Sequence, residues 1–384
     1  MTLIAVGHYQ NIKVAGKSVP AFVPEPLPPV LREQAVESLA DRIHAAQAAL
    51  ARLEEAAQLI SLPQRIIDVF FIKEALAASA EGGNKATLTD VLAYELTKPP
   101  GSSASDDIED IANHVAATQN GLDKLHAEDG RPYFKWLLND CHRILLRGQR
   151  YADQETGEFR QSQNWVGGQP PGRHTVYVSP APEHVVRLMD NLEYFLHNDT
   201  NLPPLLQAAT AHAQFELIHP YLDGNGRLGR ILNTCLLDRY VRRRGPLLCL
   251  SEYFNENRSD YYFHFGELQK YGNWFSWFLF FLEGVKTVAK NAVSTLGQLQ
   301  GQVHQDRQKL LAIEGVTVAV LRLFELLPES SVVSMPVVRR LLRTTKPTAG
   351  KAIELLQRAG ILVENGKQKR NRIYGYRAYL ELLK

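Results

Sequence analysis

The sequence predicts a mainly α-helical protein, with a small β-hairpin inserted midway and a winged helix-turn-helix unit at its C-terminal end. Three observations lead there. Long stretches rich in Ala, Leu, Glu and Gln carry apolar residues three and four apart, as in Leu39, Ile43, Ala46, Leu50 and Leu53. Residues 150–180 break that pattern with Gly, Gln and Pro around the β-type run Thr175-Val176-Tyr177-Val178. Near the end, Asn365-Gly366 separates two β-type runs, a strong hairpin signal.

Taken in order, residues 1–30 carry Pro20, Pro24, Pro26, Pro28 and Pro29 and read as an extended arm rather than a helix. Helical pattern runs from Leu31 to Ile60. It resumes at Pro63, well placed near a helix start, and continues to Ser79. Glu81-Gly82-Gly83-Asn84 breaks it, and Thr87 or Thr89 caps a third helix through Leu96. Lys98-Pro99-Pro100-Gly101-Ser102-Ser103 reads as a linker. Further helices are expected at 108–120, 132–146, 182–197, 203–218, 227–243, 259–271 and 274–292. In the last eighty residues, 316–327, 334–343 and 347–359 read as helices and 360–364 and 372–376 as the strands of a wing. The expected domains are 1–100 (arm and N-terminal helices), 104–295 (core) and 305–384 (winged helix). No internal repeat is visible.

Composition is that of a globular protein, 45% apolar and 22% charged. The longest apolar run, Trp274 to Leu282, is too short to span a membrane. Met1-Thr2-Leu3-Ile4 lacks the basic and apolar regions of a signal peptide. Cys141, Cys235 and Cys249 are few, odd in number and lack metal-ligand spacing, so a reducing, cytoplasmic setting is expected. Net charge is +2, unevenly spread. Residues 331–384 hold twelve Lys or Arg against three Asp or Glu, leaving 31 basic against 38 acidic residues elsewhere. A basic terminal unit on an otherwise acidic chain points to a polyanionic partner.

The most informative run is 219–230, His-Pro-Tyr-Leu-Asp-Gly-Asn-Gly-Arg-Leu-Gly-Arg. His219 is a potential base, and Asp223 a carboxylate suited to Mg²⁺. Gly224, Asn225 and Gly226 form a turn whose N–H groups can cradle an anion. Arg227 and Arg230, three apart, share a helix face and can both reach phosphate oxygens. Singly, the histidine reads as structural and the Gly-Asn-Gly as a turn; their conjunction is the signal. An EF-hand is excluded because Arg227 stands where it needs a side-chain oxygen and Thr234 where it needs Glu, and a P-loop because no Gly-Lys-Ser/Thr follows.

This run resembles the signature of the Fic family, His-Pro-Phe-x-Asp/Glu-Gly-Asn-Gly-Arg-x-x-Arg, with Tyr221 for Phe. The similarity extends to Ser162-Gln163-Asn164-Trp165-Val166-Gly167-Gly168, Pro171-Gly172-Arg173 and Tyr177-Val178-Ser179-Pro180, like the family's target-docking flap, and to Pro26-Leu27-Pro28-Pro29. It covers most of residues 20–295. The resemblance implies a helical Fic fold and adenylylation, the transfer of AMP from ATP with Mg²⁺ to a Ser, Thr or Tyr hydroxyl of a protein, the chain itself included. It assigns His219 as base, Asp223 to the metal, and Gly224, Asn225, Gly226, Arg227 and Arg230 to phosphates. Gly172, Arg173, His174 and Thr175 would dock the target by main-chain pairing. Ser251 to Phe254 and Asn257 to Tyr262 resemble the stretch that shapes the adenine pocket, making Tyr253, Asn257, Tyr261 and Tyr262 its candidates, although such aromatics also suit a core. Gly226 stands where a phosphorylating relative carries Lys, which favours AMP transfer. The resemblance also raises a homodimer as an expectation.

One departure stands out. Many relatives carry an inhibitory helix, Ser/Thr-x-x-x-Glu-Gly/Asn, whose Glu pairs with the second motif arginine, here Arg230. Alignment puts Gly82 where that Glu belongs and Ala78 where Ser/Thr belongs. Glu81 is adjacent, about 100° round a helix. The expectation is a weakened brake, with Glu81 serving instead if the Gly82-Gly83 end unwinds. For the C-terminal unit, Lys346, Thr348 and Lys351 on the second helix, with Lys367, Lys369, Arg370 and Arg372 on the wing, are candidate DNA-phosphate contacts. The competing functions are a DNA-binding regulator with a nucleotide-sensing core, and removal of AMP rather than its transfer.

Overall fold

The computed structural model describes residues 6–14, 16–31, 36–59, 64–97, 105–127, 133–152, 155–166, 177–198, 201–238, 247–365 and 372–383. The prolines near the N-terminus do exclude helix, but the arm is not single-stranded. β1 (Gly7–Val14) pairs antiparallel with β2 (Lys17–Pro24), Val14 opposite Lys17 across a two-residue connection. The sequence reading missed this because Pro20 and Pro24 argue against a ladder; both sit on a strand of a two-stranded ribbon, where one edge needs no donor. Ala21, Phe22 and Val23 are buried. Asn191 then ties the arm down, accepting from the Leu27 N–H at 2.6 Å and donating to its carbonyl at 3.0 Å.

The helices follow as α1 (Ala40–Leu59), α2 (Gln64–Ala80) and α3 (Leu88–Thr97). Thr87 caps α3, exchanging bonds with Asp90 three residues on, so the cap is Thr87 rather than Thr89. Next come α4 (Asp106–Ala127), α5 (Phe134–Leu145), the short pair β3 (Trp165–Val166) and β4 (Tyr177–Val178), α6 (Pro182–His197), α7 (Pro204–Ile218) and α8 (Asn225–Asp238). The expected linker at 98–103 and residues 239–243 of the expected 227–243 helix lie outside the described residues. α7 and α8 are buried almost all round, which marks them as central helices.

A short helix the sequence reading did not separate, α9 (Leu250–Glu256), leads into α10 (Arg258–Tyr271). α11 was expected to stop at Ala292 but runs from Trp274 to Leu311, 38 residues, through the expected boundary at 295–305. Its first half is aromatic and buried, with Trp277 donating to the Ala209 carbonyl at 2.8 Å. Its second half keeps the helical spacing through Leu296, Leu299, Asp306 and Leu310, which are buried, and the helix as a whole packs along α1.

The end of the chain runs α12 (Val318–Leu326), β5 (Val332–Ser334), α13 (Met335–Leu342), α14 (Lys346–Arg358), β6 (Leu362–Asn365), β7 (Ile373–Tyr376) and α15 (Arg377–Leu382). The sheet order is β5-β7-β6, all antiparallel; β5 is a third strand the sequence reading did not expect, and only its last residue, Ser334, fell in an expected helix. Tyr376 bonds Asp306 of α11 at 2.9 Å, and β5 packs against α3, so this unit is anchored at two places. Among the described residues no helix is long and apolar enough to cross a membrane.

Candidate active site

Pro220 fixes where α7 ends. A residue before proline is pushed out of the helical region, and His219 takes up a left-handed conformation, φ 50° and ψ 61°, as the C-cap. For a non-glycine residue this costs about 1 kcal/mol, so the surroundings must hold it. Arg160 does so. Its guanidinium is buried and donates to the carbonyls of His219 (2.8 Å), Pro180 (2.6 Å) and Ser162 (3.1 Å), while its N–H donates to Pro220 (3.0 Å).

The loop that follows is closed on itself. Asn225 accepts from the Tyr221 N–H (2.9 Å) and donates to its carbonyl (2.8 Å), and Asn164 donates to the same carbonyl at 2.6 Å. Tyr221 is fully buried, stacked on His142 with centroids 4.1 Å apart, and its hydroxyl bonds Asn139 at 2.6 Å. The extra hydroxyl relative to Phe thus has its own partner. His142 accepts from the Gly157 N–H at 2.7 Å through Nδ1, so its Nε2 donates to the Asp223 carbonyl at 3.1 Å. Burial lowers its pKa to about 4, keeping it neutral.

A cleft of about 460 Å³ opens over this loop. His219, Asp223, Gly224, Asn225, Gly226, Arg227 and Arg230 all line it. α8 starts at Asn225, so its first N–H groups lack intrahelical partners, and the helix dipole adds positive potential there. Arg227 is steered by Tyr151 (3.1 Å) and Asp110 (3.9 Å). Arg230 is buried over the rings of Phe254 (4.3 Å) and Tyr261 (4.8 Å), and its Nη1 is buried with no hydrogen-bond partner. Burial, then Arg160, lowers the His219 pKa to about 4, so its ring is neutral near pH 7 and can accept a proton.

Residues 135–237 match the model of the Fic/DOC family, and residues 40–123 match that of its N-terminal region. These two matches, 103 and 84 residues long, together span just under half of the chain. The chain is 36% identical over 139 residues to the protein adenylyltransferases Fic of Drosophila grimshawi and Drosophila virilis, 35% of this chain and 26% of each relative. The match thus spans about a quarter of those relatives' length. The crystal structure of a Fic family protein from Desulfovibrio desulfuricans superposes over 91% of this chain and 98% of its own, with a TM-score of 0.59 at 21% identity, and shares the fold.

Around this cleft the candidates divide. The seven motif residues share one cleft, but the side chain of Asn225 is committed to Tyr221, so only its backbone is on offer. Of the expected adenine-pocket residues, Tyr261 and Tyr262 line the cleft. Tyr253 and Asn257 do not: Tyr253 packs on Phe254 and Phe280, and Asn257 bonds the Tyr253 carbonyl at the α9–α10 junction. Ala78, Glu81 and Gly82 line the cleft too. Glu81 faces Arg258 (3.1 Å) and the Tyr262 hydroxyl rather than Arg230. Gly172, Arg173, His174 and Thr175 lie outside the described residues, as do Lys367, Lys369 and Arg370. Sequence reasoning did not single out Trp165, Tyr177, Glu216, Arg258 and Phe265 as cleft wall, although the first two fall in its flap segment and Arg258 in its adenine-pocket stretch. Helical spacing could have found three of them: Glu216 is one turn before His219, and Arg258, Tyr261, Tyr262 and Phe265 share a face.

Proposed function

We propose that the cleft transfers AMP from ATP to a hydroxyl side chain of a protein. The observation that carries this is the buried Arg230 Nη1 without a partner, in the same cleft as a helix N-terminus and a neutral histidine. An unsatisfied buried guanidinium is costly, and an anion relieves it.

In this reading His219 takes the proton of the incoming hydroxyl, whose oxygen bonds to the α-phosphorus as the bond to the pyrophosphate oxygen breaks. A placed general base contributes about 10²–10⁴-fold. Arg227, Arg230 and the N–H groups opening α8 stabilise charge on the phosphates and the leaving pyrophosphate. The donor set fits Mg²⁺: Asp223 is one exposed carboxylate on the cleft floor, and this ion takes one or two protein carboxylates beside substrate phosphates. Held by Asp223, it would neutralise phosphate charge. Tyr261, Tyr262 and Phe265 offer aromatic surface for the base.

The test is incubation with ATP labelled at the α-phosphate, Mg²⁺ and lysate protein, beside a His219→Ala control. Label on protein that depends on His219 supports the reading, and equal label without the histidine contradicts it.

We further propose that the elements from α12 to β7 form a winged helix-turn-helix that touches duplex DNA. The element order of α12 to β7 supports it, as does the outer face of α14. There Lys346, Thr348, Lys351 and Arg358 are exposed, while Ala349, Ala352, Ile353 and Leu356 face the unit's own core.

A further inference from the structure

Glu216 stands on α7 one helical turn before His219 and lines the same cleft. Its Oε1 is buried and has no hydrogen-bond partner. Nδ1 of His219 is likewise buried and unpartnered, 4.0 Å from Oε2 of Glu216. A buried ring nitrogen without a partner thus stands just beyond bonding distance of one oxygen of a carboxylate whose other oxygen lies against Gly229, buried and also unpartnered, an arrangement that folded proteins rarely leave unmade. Gly229 of α8 makes room for the carboxylate, since a Cβ there would stand 2.3 Å from Oε1.

We propose that the Glu216 carboxylate is the positioning group for His219: it closes on Nδ1–H when the cleft is filled and holds the tautomer that leaves Nε2 free as base. The inference rests on the transfer reading for its purpose, but not for its geometry. A histidine base needs a partner of this kind, because the neutral ring has two tautomers and only one presents a lone pair to the substrate. The Glu216 backbone carbonyl also lies close enough to raise the proton affinity of His219 and, with one lone pair taken by the Tyr177 hydroxyl and one left, is the competing group for Nδ1–H.

The charge on Glu216 sets when the pairing works. Burial raises its pKa to about 7; Arg230 from α8 opposes this and Glu81 reinforces it. On the His219 side stand Arg160 and Asp223, and Tyr261 and Tyr262 close the wall from α10. Above pH 7 the carboxylate accepts from Nδ1–H. Below it, the protonated carboxyl donates to Nδ1, leaving the ring proton on Nε2, where it blocks the base.

Nitrogen-15 NMR of histidine-labelled protein with an α,β-methylene ATP analogue bound in the cleft, with His219→Ala to assign the signal, tests this without requiring turnover. The wild-type ring should stay neutral but switch tautomer with a midpoint near pH 7, and Glu216→Gln should abolish the switch. In parallel, Glu216→Gln should lower label transfer about tenfold at pH 8 and remove the inflection near pH 7, with affinity for an α,β-methylene ATP analogue unchanged. A wild-type His219 whose tautomer is constant across that range overturns the proposal, as does a Glu216→Gln protein with wild-type tautomer and pH profile; the backbone carbonyl would then orient the ring. A normal switch with no transfer from ATP would leave the pairing standing and remove the transfer reading instead.

Discussion

Asn225 shows how a residue can belong to a site without touching a ligand. Its side chain closes the Tyr221 loop, and that closure fixes the direction of the helix start. Replacing it with Ala leaves the buried Tyr221 N–H without its partner, at about 1–3 kcal/mol, while Asn164 still donates to the Tyr221 carbonyl. We expect Asn225→Ala to lower the thermal midpoint and cut label transfer, which calorimetry and the labelling assay check together. Gly82 is the opposite case. Its backbone angle is ordinary, and an added Cβ would meet only the Ser79 carbonyl at 3.5 Å, so a side chain is tolerated there. Gly82→Glu places a carboxylate on the cleft wall within the field of Arg230, and transfer should fall at least tenfold while the fold is kept; unchanged transfer would count against a missing brake. At this scale the sequence exposed the motif because its chemistry is local. It did not expose Arg160 or Asn164, whose roles arise only when distant segments meet, and it passed over Glu216, one helical turn before His219.

At the scale of elements, the legible helices were those with a strong period and clear punctuation: 182–197 is found where Pro182 and His197 bound it, and α3 where Thr87 caps it. The hairpin at 7–24 was hidden because prolines usually exclude ladders, and the long reach of α11 because Gly297 and Gly301 dilute its apolar stripe. α14 carries its own expectation. Lys346→Ala with Lys351→Ala removes two exposed charges without opening the core. Gel-shift titration of the double variant should show weaker binding to any duplex and a salt slope smaller by about two. Unaltered wild-type binding, or none at all to duplex, would turn this helix into a protein-contact surface.

For the whole molecule, buried ionisable groups set an acid limit. Burial holds His114 near 3, His142 and His219 near 4, and His212 well below its usual range. Each stays neutral when folded, so it loses stability as pH falls below about 6.5. Buried Glu74 and Glu216, both raised to about 7, work the other way, gaining stability as pH falls from 7 toward 4.5. Four histidines against two carboxyls leave a net uptake of about two protons on unfolding between pH 4.5 and 6.5. Stability should therefore drop by about 2–3 kcal/mol per pH unit there, and urea midpoints at pH 7 and 5 would reveal it; equal midpoints would mean these rings are solvated. The measurement that bears most directly on the cleft is label transfer from α-labelled ATP by wild-type protein and by His219→Ala, with both shown to bind the same ATP analogue. Wild-type protein should place label on protein and His219→Ala should lose at least about a hundredfold; label undiminished by removal of His219 would contradict its role as base.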